Sequence, residues 1–359
     1  MERETLAAWI ADWPVPEKHD APDAIPCLLA AATGEGVVAL AHAALTRRTD
    51  APEALCDAFA AAAREGAVGG MLRVAECRRV LDTMAEAGIP VLLLKGLALA
   101  AWLYPHSYLR ESSDIDLLFA GREDAERAAA LLASSGYAVQ YSAGVMAQEF
   151  LCRRQVGAMG VDVDAHWRIS AMPLFSDAFA FGELFEASIA LPALGKHARG
   201  LMPVHAFAHA SIHRASNVCS GIGDRLKWLY DLHLLAQRFG TDDWGRLLGV
   251  CRERDLCGVV AEAIAATADA FGPVVPAEVV AALAADRAAE RLDATRLRDW
   301  GYIQRQNLRA LPTLSLRVRW LWQRVFPSKG YLRELYGAEV SVAGLWAERV
   351  RRAFGRLLR

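Results

Sequence analysis

Long apolar runs are missing from this 359-residue chain. None reaches the roughly 18 uncharged apolar residues that a membrane-spanning helix needs, so no transmembrane segment is expected. The opening stretch, MERETLAAWIADW, carries charge early and has no basic stretch followed by an apolar one, so no secretory leader is expected either. Paired cysteines are missing too. The seven that exist (Cys27, Cys56, Cys77, Cys152, Cys219, Cys251 and Cys257) are odd in number, scattered, and never arranged as Cys-x-x-Cys. That argues against a disulfide framework or a zinc ribbon and fits buried free thiols in a reducing, cytoplasmic setting. There is no excess of positive charge. Forty Lys+Arg against 42 Asp+Glu leave −2, which offers no global argument for nucleic acid. Repeats and low-complexity tracts are absent beyond an alanine bias.

Hydrophobic residues make up 54% and charged residues 23%, the balance of a globular chain long enough for two or three domains. The charge is unevenly spread. From Arg305 to Arg359 there are 12 Lys+Arg and 3 Asp+Glu, a local balance of 12 − 3 = +9. This basic stretch alternates Arg with Trp, Leu and Phe at helical spacing. It reads as helices that pack Trp320, Trp322 and Phe354 and turn arginines to water, with contact to an acidic partner as the alternative.

Residues 1–70 are alanine-rich with apolar positions at intervals of three and four, an N-terminal helical subdomain. Gly69-Gly70 reads as a hinge. An amphipathic helix follows from Met71, closed by Gly88 and Pro90. Val91–Leu94 is a short buried strand that stops at Lys95-Gly96, and a helix runs from Leu97. Asp114-Ile115-Asp116 then opens a second strand. A strand alternates sides, so the two carboxylates share a face about 7 Å apart while Ile115 enters the core. A further helix ends at Gly136, with strands expected over 137–141 and 149–155. In Val161-Asp162-Val163-Asp164-Ala165-His166-Trp167 the polar residues Asp162, Asp164 and His166 again share one face. From Val204 onward the pattern is helical. His205, His209 and His213 recur every four residues, and another helix starts at Arg225. Three histidines along one straight helix span about 12 Å, too far for one zinc ion.

Carboxylates crowded on one strand face repel each other unless something positive lies between them. If the two acidic strands lie side by side, Asp114, Asp116 and Asp164 converge, with Asp162 competing for the third place. Such a set can hold two Mg²⁺ ions, with Mn²⁺ as the alternative, for in-line phosphoryl or nucleotidyl displacement. Gly96 lets backbone approach a phosphate, the helix after it offers free N–H groups, and Lys95 or Arg110 can pair with phosphate oxygens.

The run Leu94-Lys95-Gly96, Leu103-Tyr104-Pro105, Leu109-Arg110, Asp114-Ile115-Asp116-Leu117-Leu118 and Asp164-Ala165-His166-Trp167 resembles the uncharacterised nucleotidyltransferase family of the DNA polymerase β-like superfamily. The likeness runs from about residue 70 to about 335. It implies an α+β fold: a small mixed-sheet core over 71–195, flanked by the N-terminal helices, a helical domain over 196–310 and the basic tail over 311–359. It also implies Asp114, Asp116 and Asp164 as catalytic metal ligands, Lys95, Gly96 and Arg110 at the phosphates, and a substrate cleft near His166, His209, His213 and Arg225. The turn departs from the superfamily's usual Gly-Gly or Gly-Ser. The function implied is Mg²⁺-dependent transfer of a nucleoside monophosphate from an NTP, ATP among them, to a small-molecule, protein or RNA acceptor. The alternatives are a non-catalytic nucleotide- or partner-binding module on the same fold, and a metal-dependent glycosyltransferase using Asp-x-Asp.

Overall fold

The computed structural model describes residues 2–11, 24–141 and 149–325, together with 344, 347 and 351. Three helices open it: α1 (Glu2–Ile10), α2 (Ala24–Glu35) and α3 (Val38–Leu45). The 34-residue α4 (Glu53–Glu86) follows, entered from Pro52. It stops where the sequence says it must. Gly88 takes φ +64°, and the Ile89 N–H donates to the Met84 carbonyl at 2.9 Å, closing the last turn before Pro90. Strand β1 (Val91–Leu93), helix α5 (Lys95–Trp102), strand β2 (Asp114–Phe119) and helix α6 (Arg122–Ser134) come next. Glu123 and Asp124 sit in the first turn of α6, where the helix dipole favours acids. Gly136, at φ +87°, ends it.

Strands β3 (Ala138–Tyr141), β4 (Glu149–Val156) and β5 (Met159–His166), helix α7 (Phe181–Glu186) and the short β6 (Ile189–Ala190) and β7 (Arg199–Gly200) complete the α/β part. Helices α8 (Pro203–Cys219), α9 (Leu226–Arg238), α10 (Thr241–Glu253), α11 (Cys257–Phe271), α12 (Ala277–Asp286), α13 (Trp300–Ala310) and α14 (Leu314–Val325) form the rest. The fold is mixed α+β with a C-terminal helical region, as the sequence implied.

The seven strands form one sheet in the order β3-β4-β5-β2-β1-β7-β6. β2 runs parallel to β5, and β1 parallel to β7. The other pairs are antiparallel. Two hydrophobic cores lie on either side of β1 and β2. One gathers Val80, Leu81 and Met84 of α4, Ala125 and Leu132 of α6, and Ile115, Leu117, Val161 and Val163 of the sheet. The other gathers Leu92 and Leu118 with α8, α9 and α11, and takes in Leu6, Leu28 and Leu45 of the first three helices. The chain's two ends of helix therefore share a core, although the α/β part separates them in sequence.

Two expectations need correction. Gly69-Gly70 is not a break, because α4 runs through it unbroken. A glycine inside a helix costs about 1 kcal/mol relative to alanine, which burial on both sides readily outweighs. Gly69 is buried, and a Cβ there would lie 2.9 Å from Met159 Cε of β5, so its smallness serves close packing. In the tail, Trp320 is buried but Trp322 is 62% exposed, contrary to the expected packing of both. Phe354 and most of the basic stretch beyond residue 325 lie outside the described residues.

Candidate metal centre

The acidic strands are neighbours in register. Asp114 faces Asp162, Asp116 faces Asp164, and Leu118 faces His166 across the parallel β2–β5 ladder. Facing residues of paired strands project to the same side, so one face of the sheet carries Asp114, Asp116, Asp162, Asp164 and His166. The intervening Ile115, Leu117, Val163 and Ala165 are buried in the opposite core.

Asp116 is the centre of this face. It is 5% exposed, and its Oδ1 receives Lys95 Nζ at 2.8 Å and His166 Nε2 at 3.0 Å. Burial opposes its ionisation, but Lys95 and His166 outweigh burial and hold the carboxyl well below the usual range. His166 bridges on to a second acid, with Nδ1 2.9 Å from Glu149 Oε2. Burial alone would favour the neutral ring. Its hydrogen bonds to Asp116 and Glu149 prevail and raise it to about 9. Asp164 behaves oppositely. Burial, then the charges of Asp116, Glu149 and Asp114, push its carboxyl up to about 7 against the pull of His166. Asp114 is also raised, by burial and by Asp116.

One atom each of Asp116, Asp164 and His166 lies within 4.8 Å of the others, the group of metal-binding geometry found among the described residues, with the His166 nitrogen a ligand only once its proton is lost. Asp114 is not one of its three members. Asp162, the rival third carboxylate, is engaged elsewhere: Arg153 grips it with two bonds of 2.7 Å.

The turn after β1 sets Lys95. Its φ of +48° is a left-handed conformation that a residue with a Cβ adopts at a cost of roughly 1–2 kcal/mol. That strained backbone starts α5 with the ammonium on Asp116. Gly96 is needed for closeness, since a Cβ there would lie 2.4 Å from Ser112 Oγ, on the segment leading into β2.

Arg110 has a different neighbour from the phosphate, Glu111 or Asp114 side chains weighed from sequence. Its Nε and Nη2 each donate to an oxygen of Asp231 on α9 at 2.7 Å, and Tyr104 Oη adds a third bond of 2.7 Å to Oδ1. Both ionic side chains are 4% exposed. This buried clamp fastens the loop before β2 to the helical region. Arg225 precedes α9 and lies over the Trp228 ring, 5.3 Å from its centroid.

On α8, His205 and His209 are buried. His209 is driven down to about 3, first by burial and then by the nearby Lys95 charge, and His213 is lowered for the same reasons. His213 stands edge-on to Trp228 at 5.0 Å. Lys95, Arg110, His209, His213, Trp228 and Asp231 all line one cleft beside the acidic face.

Two residues were not singled out from sequence. Glu149 faces His166 across the β4–β5 hairpin, and the signal for it was the two-residue turn Gly157-Ala158, with Gly157 at φ +60°, which sets the register. Lys227, in the first turn of α9, feels the charge of Asp114 and is lowered to about 8 by burial, Arg110 and Arg225. Its stem fills the space a Cβ would take on Gly36, 2.4 Å away, so Gly36 leaves room for it. Arg225-Leu226-Lys227 was visible in the sequence, but its distance from the acidic pair was not.

A search of curated proteins found no match. A family model described as an uncharacterised nucleotidyltransferase matches residues 22–272, from the start of α2 to the end of α11. That span takes in both acidic strands, the Lys95 turn, the Arg110–Asp231 clamp and α8, and the chain belongs to the uncharacterised nucleotidyltransferase family.

Proposed function

We propose that this protein transfers a nucleoside monophosphate from an NTP to an acceptor hydroxyl, with Mg²⁺ or Mn²⁺ held by Asp116 and Asp164 and with Asp114 beside them. The observation that carries the proposal is the in-register pairing of Asp116 with Asp164 on parallel strands, their oxygens within 4.8 Å of each other and of His166. The donor set fits the ion. Carboxylate oxygens suit a hard divalent cation, which would take the place on Asp116 that Lys95 and His166 hold. Bound there, the metal would neutralise phosphate charge and acidify the attacking hydroxyl.

The chain's own groups divide the remaining work. Asp164 is the carboxylate suited to take the acceptor's proton, since burial, and after it the charges of Asp116, Glu149 and Asp114, make it the more basic of the pair. The acceptor oxygen bonds to the α-phosphorus, the bond to pyrophosphate breaks, and the proton passes to Asp164. Lys95 and Lys227 flank Asp114 and Asp116 and meet triphosphate oxygens. The Arg110–Asp231 clamp positions the cleft wall and leaves phosphate contact to these lysines.

A second reading has one observation in its favour. Lys95 and His166 together neutralise Asp116, as they would in a domain that binds a nucleotide without turning it over. Incubation with α-labelled ATP, GTP, CTP or UTP and Mg²⁺ or Mn²⁺ in lysate fractions separates the two. Pyrophosphate release with a labelled product, lost in Asp116→Asn, supports transfer. Nucleotide binding without release supports the second reading, and unchanged turnover in Asp116→Asn removes the site assignment.

A further inference from the structure

Between α5, α8 and α9 lies a narrow cleft, part of it open to solvent. It borders the acidic face directly: Lys95 is in its wall, and Lys95 Nζ is 2.8 Å from Asp116 Oδ1. Most of the lining is apolar, with Leu99, Trp102, Ala206 and Trp228 among it. Its charged members are already matched, Lys95 with Asp116 and Arg110 with Asp231. One polar member is not. His209 is 3% exposed, and its Nε2 is buried with no hydrogen-bond partner. The Ile169 backbone beside the ring favours a proton on it, and Nε2 has no partner to receive that proton, which leaves it to Nδ1. A ring that donates from Nδ1 keeps a lone pair on Nε2, so the orphan is an acceptor waiting for one donor.

We infer that this cleft receives the hydroxyl end of the acceptor, an alcohol or phenol on an apolar carbon body, and that His209 Nε2 accepts the hydrogen bond from that hydroxyl. The word acceptor rests on the nucleotidyl-transfer reading; the hydroxyl-binding site does not.

Other occupants fit worse. A nucleobase carries several polar edge atoms, and burying them against Leu99, Ala206 and the tryptophan faces leaves most of them unpaired. An anion is served only at the Lys95 edge of the cleft, since Leu99, Leu201 and Ala206 in its walls offer it neither charge nor donor. One donor on a compact apolar body satisfies the site completely. It also sets the hydroxyl one side chain away from Asp116, on the side of Lys95.

The test compares p-cresol with toluene, which match in shape and differ by the hydroxyl. Affinities come from ligand-observed NMR on the full chain, and the His209 ring nitrogens from long-range ¹H–¹⁵N correlation. The wild type should bind p-cresol about tenfold more tightly than toluene, the discrimination one satisfied buried hydrogen bond supplies. The His209 Nε2 resonance should move with p-cresol and stay with toluene. His209→Leu should bind both equally, and His209→Gln should recover part of the preference. The wild-type resonance needs no variant, so a misfolded His209→Leu leaves the test standing. Equal binding of the two probes, binding of neither up to their solubility, or a stationary Nε2 resonance overturns the inference. None of these measurements uses nucleotide or metal. Discrimination without any NTP turnover would keep the hydroxyl site and remove the transferase reading, while turnover without discrimination would do the reverse.

Discussion

Removing one partner of the Arg110–Asp231 clamp should cost far more than removing both. The guanidinium and the carboxylate are each 4% exposed and joined by two bonds of 2.7 Å, with Tyr104 donating a third. Asp231→Asn leaves a buried guanidinium without a counter-charge, and Arg110→Met leaves a buried carboxylate that only Tyr104 serves. Each single change therefore falls in the range for a broken buried ion pair, about 3–5 kcal/mol. Tyr104→Phe removes one charge-assisted bond and should cost less, about 1.5–3 kcal/mol. The double variant Arg110→Met/Asp231→Leu removes both charges and restores apolar volume, so it should cost less than the sum of the singles by at least about 2 kcal/mol. Urea unfolding followed by tryptophan fluorescence reads the cycle, checked by thermal melts, where each single should fall by roughly 4–7 °C. If both singles stay within about 1 kcal/mol of wild type, or the double equals their sum, then the pair is not a buried mutual clamp and the reasoning fails.

Other consequences follow from the same structure. Glu149→Gln removes one of the two carboxylates that hold His166 protonated at about 9, so the His166 titration, followed by NMR, should move down; an unmoved titration would refute the bridge. His209 is about 3 in the folded chain and near 6.5 when unfolded, so the unfolded state binds more protons between those values. Its contribution to stability is therefore complete above pH 6.5 and is lost as pH falls toward 3, at up to about 1.4 kcal/mol per pH unit. Urea unfolding at pH 7 and pH 4.5 should show a smaller acid loss in His209→Gln than in wild type. Gly70→Ala should raise stability by about 0.5–1 kcal/mol, because α4 is continuous and a Cβ at Gly70 meets nothing within 4 Å. A loss of stability there would restore a hinge at that position.

Much of the fold was legible because local chemistry wrote it. Gly88-Ile-Pro90 had to end a helix, Gly136 had to end another, and Val161 to Trp167 could alternate only as a strand. Asp114 and Asp116 announced themselves through period two, which is a property of a single strand. Gly69-Gly70 misled for the same local reason. Glycine pairs usually signal a break, and only the approach of Met159 from a distant strand shows why one is tolerated inside a helix.

What the chain by itself determined, then, was which residues share a face within each element, since backbone periodicity needs no partner. What tertiary structure alone decided was which faces meet. The β2–β5 register brings Asp164 opposite Asp116 and leaves Asp162 to Arg153. The β4–β5 register delivers Glu149 to His166, and the packing of α9 sets Asp231 on Arg110. The Asp116–Asp164 pairing and the Arg110–Asp231 clamp join residues far apart in sequence, and their energy lies in buried charge and apolar burial that no short motif encodes.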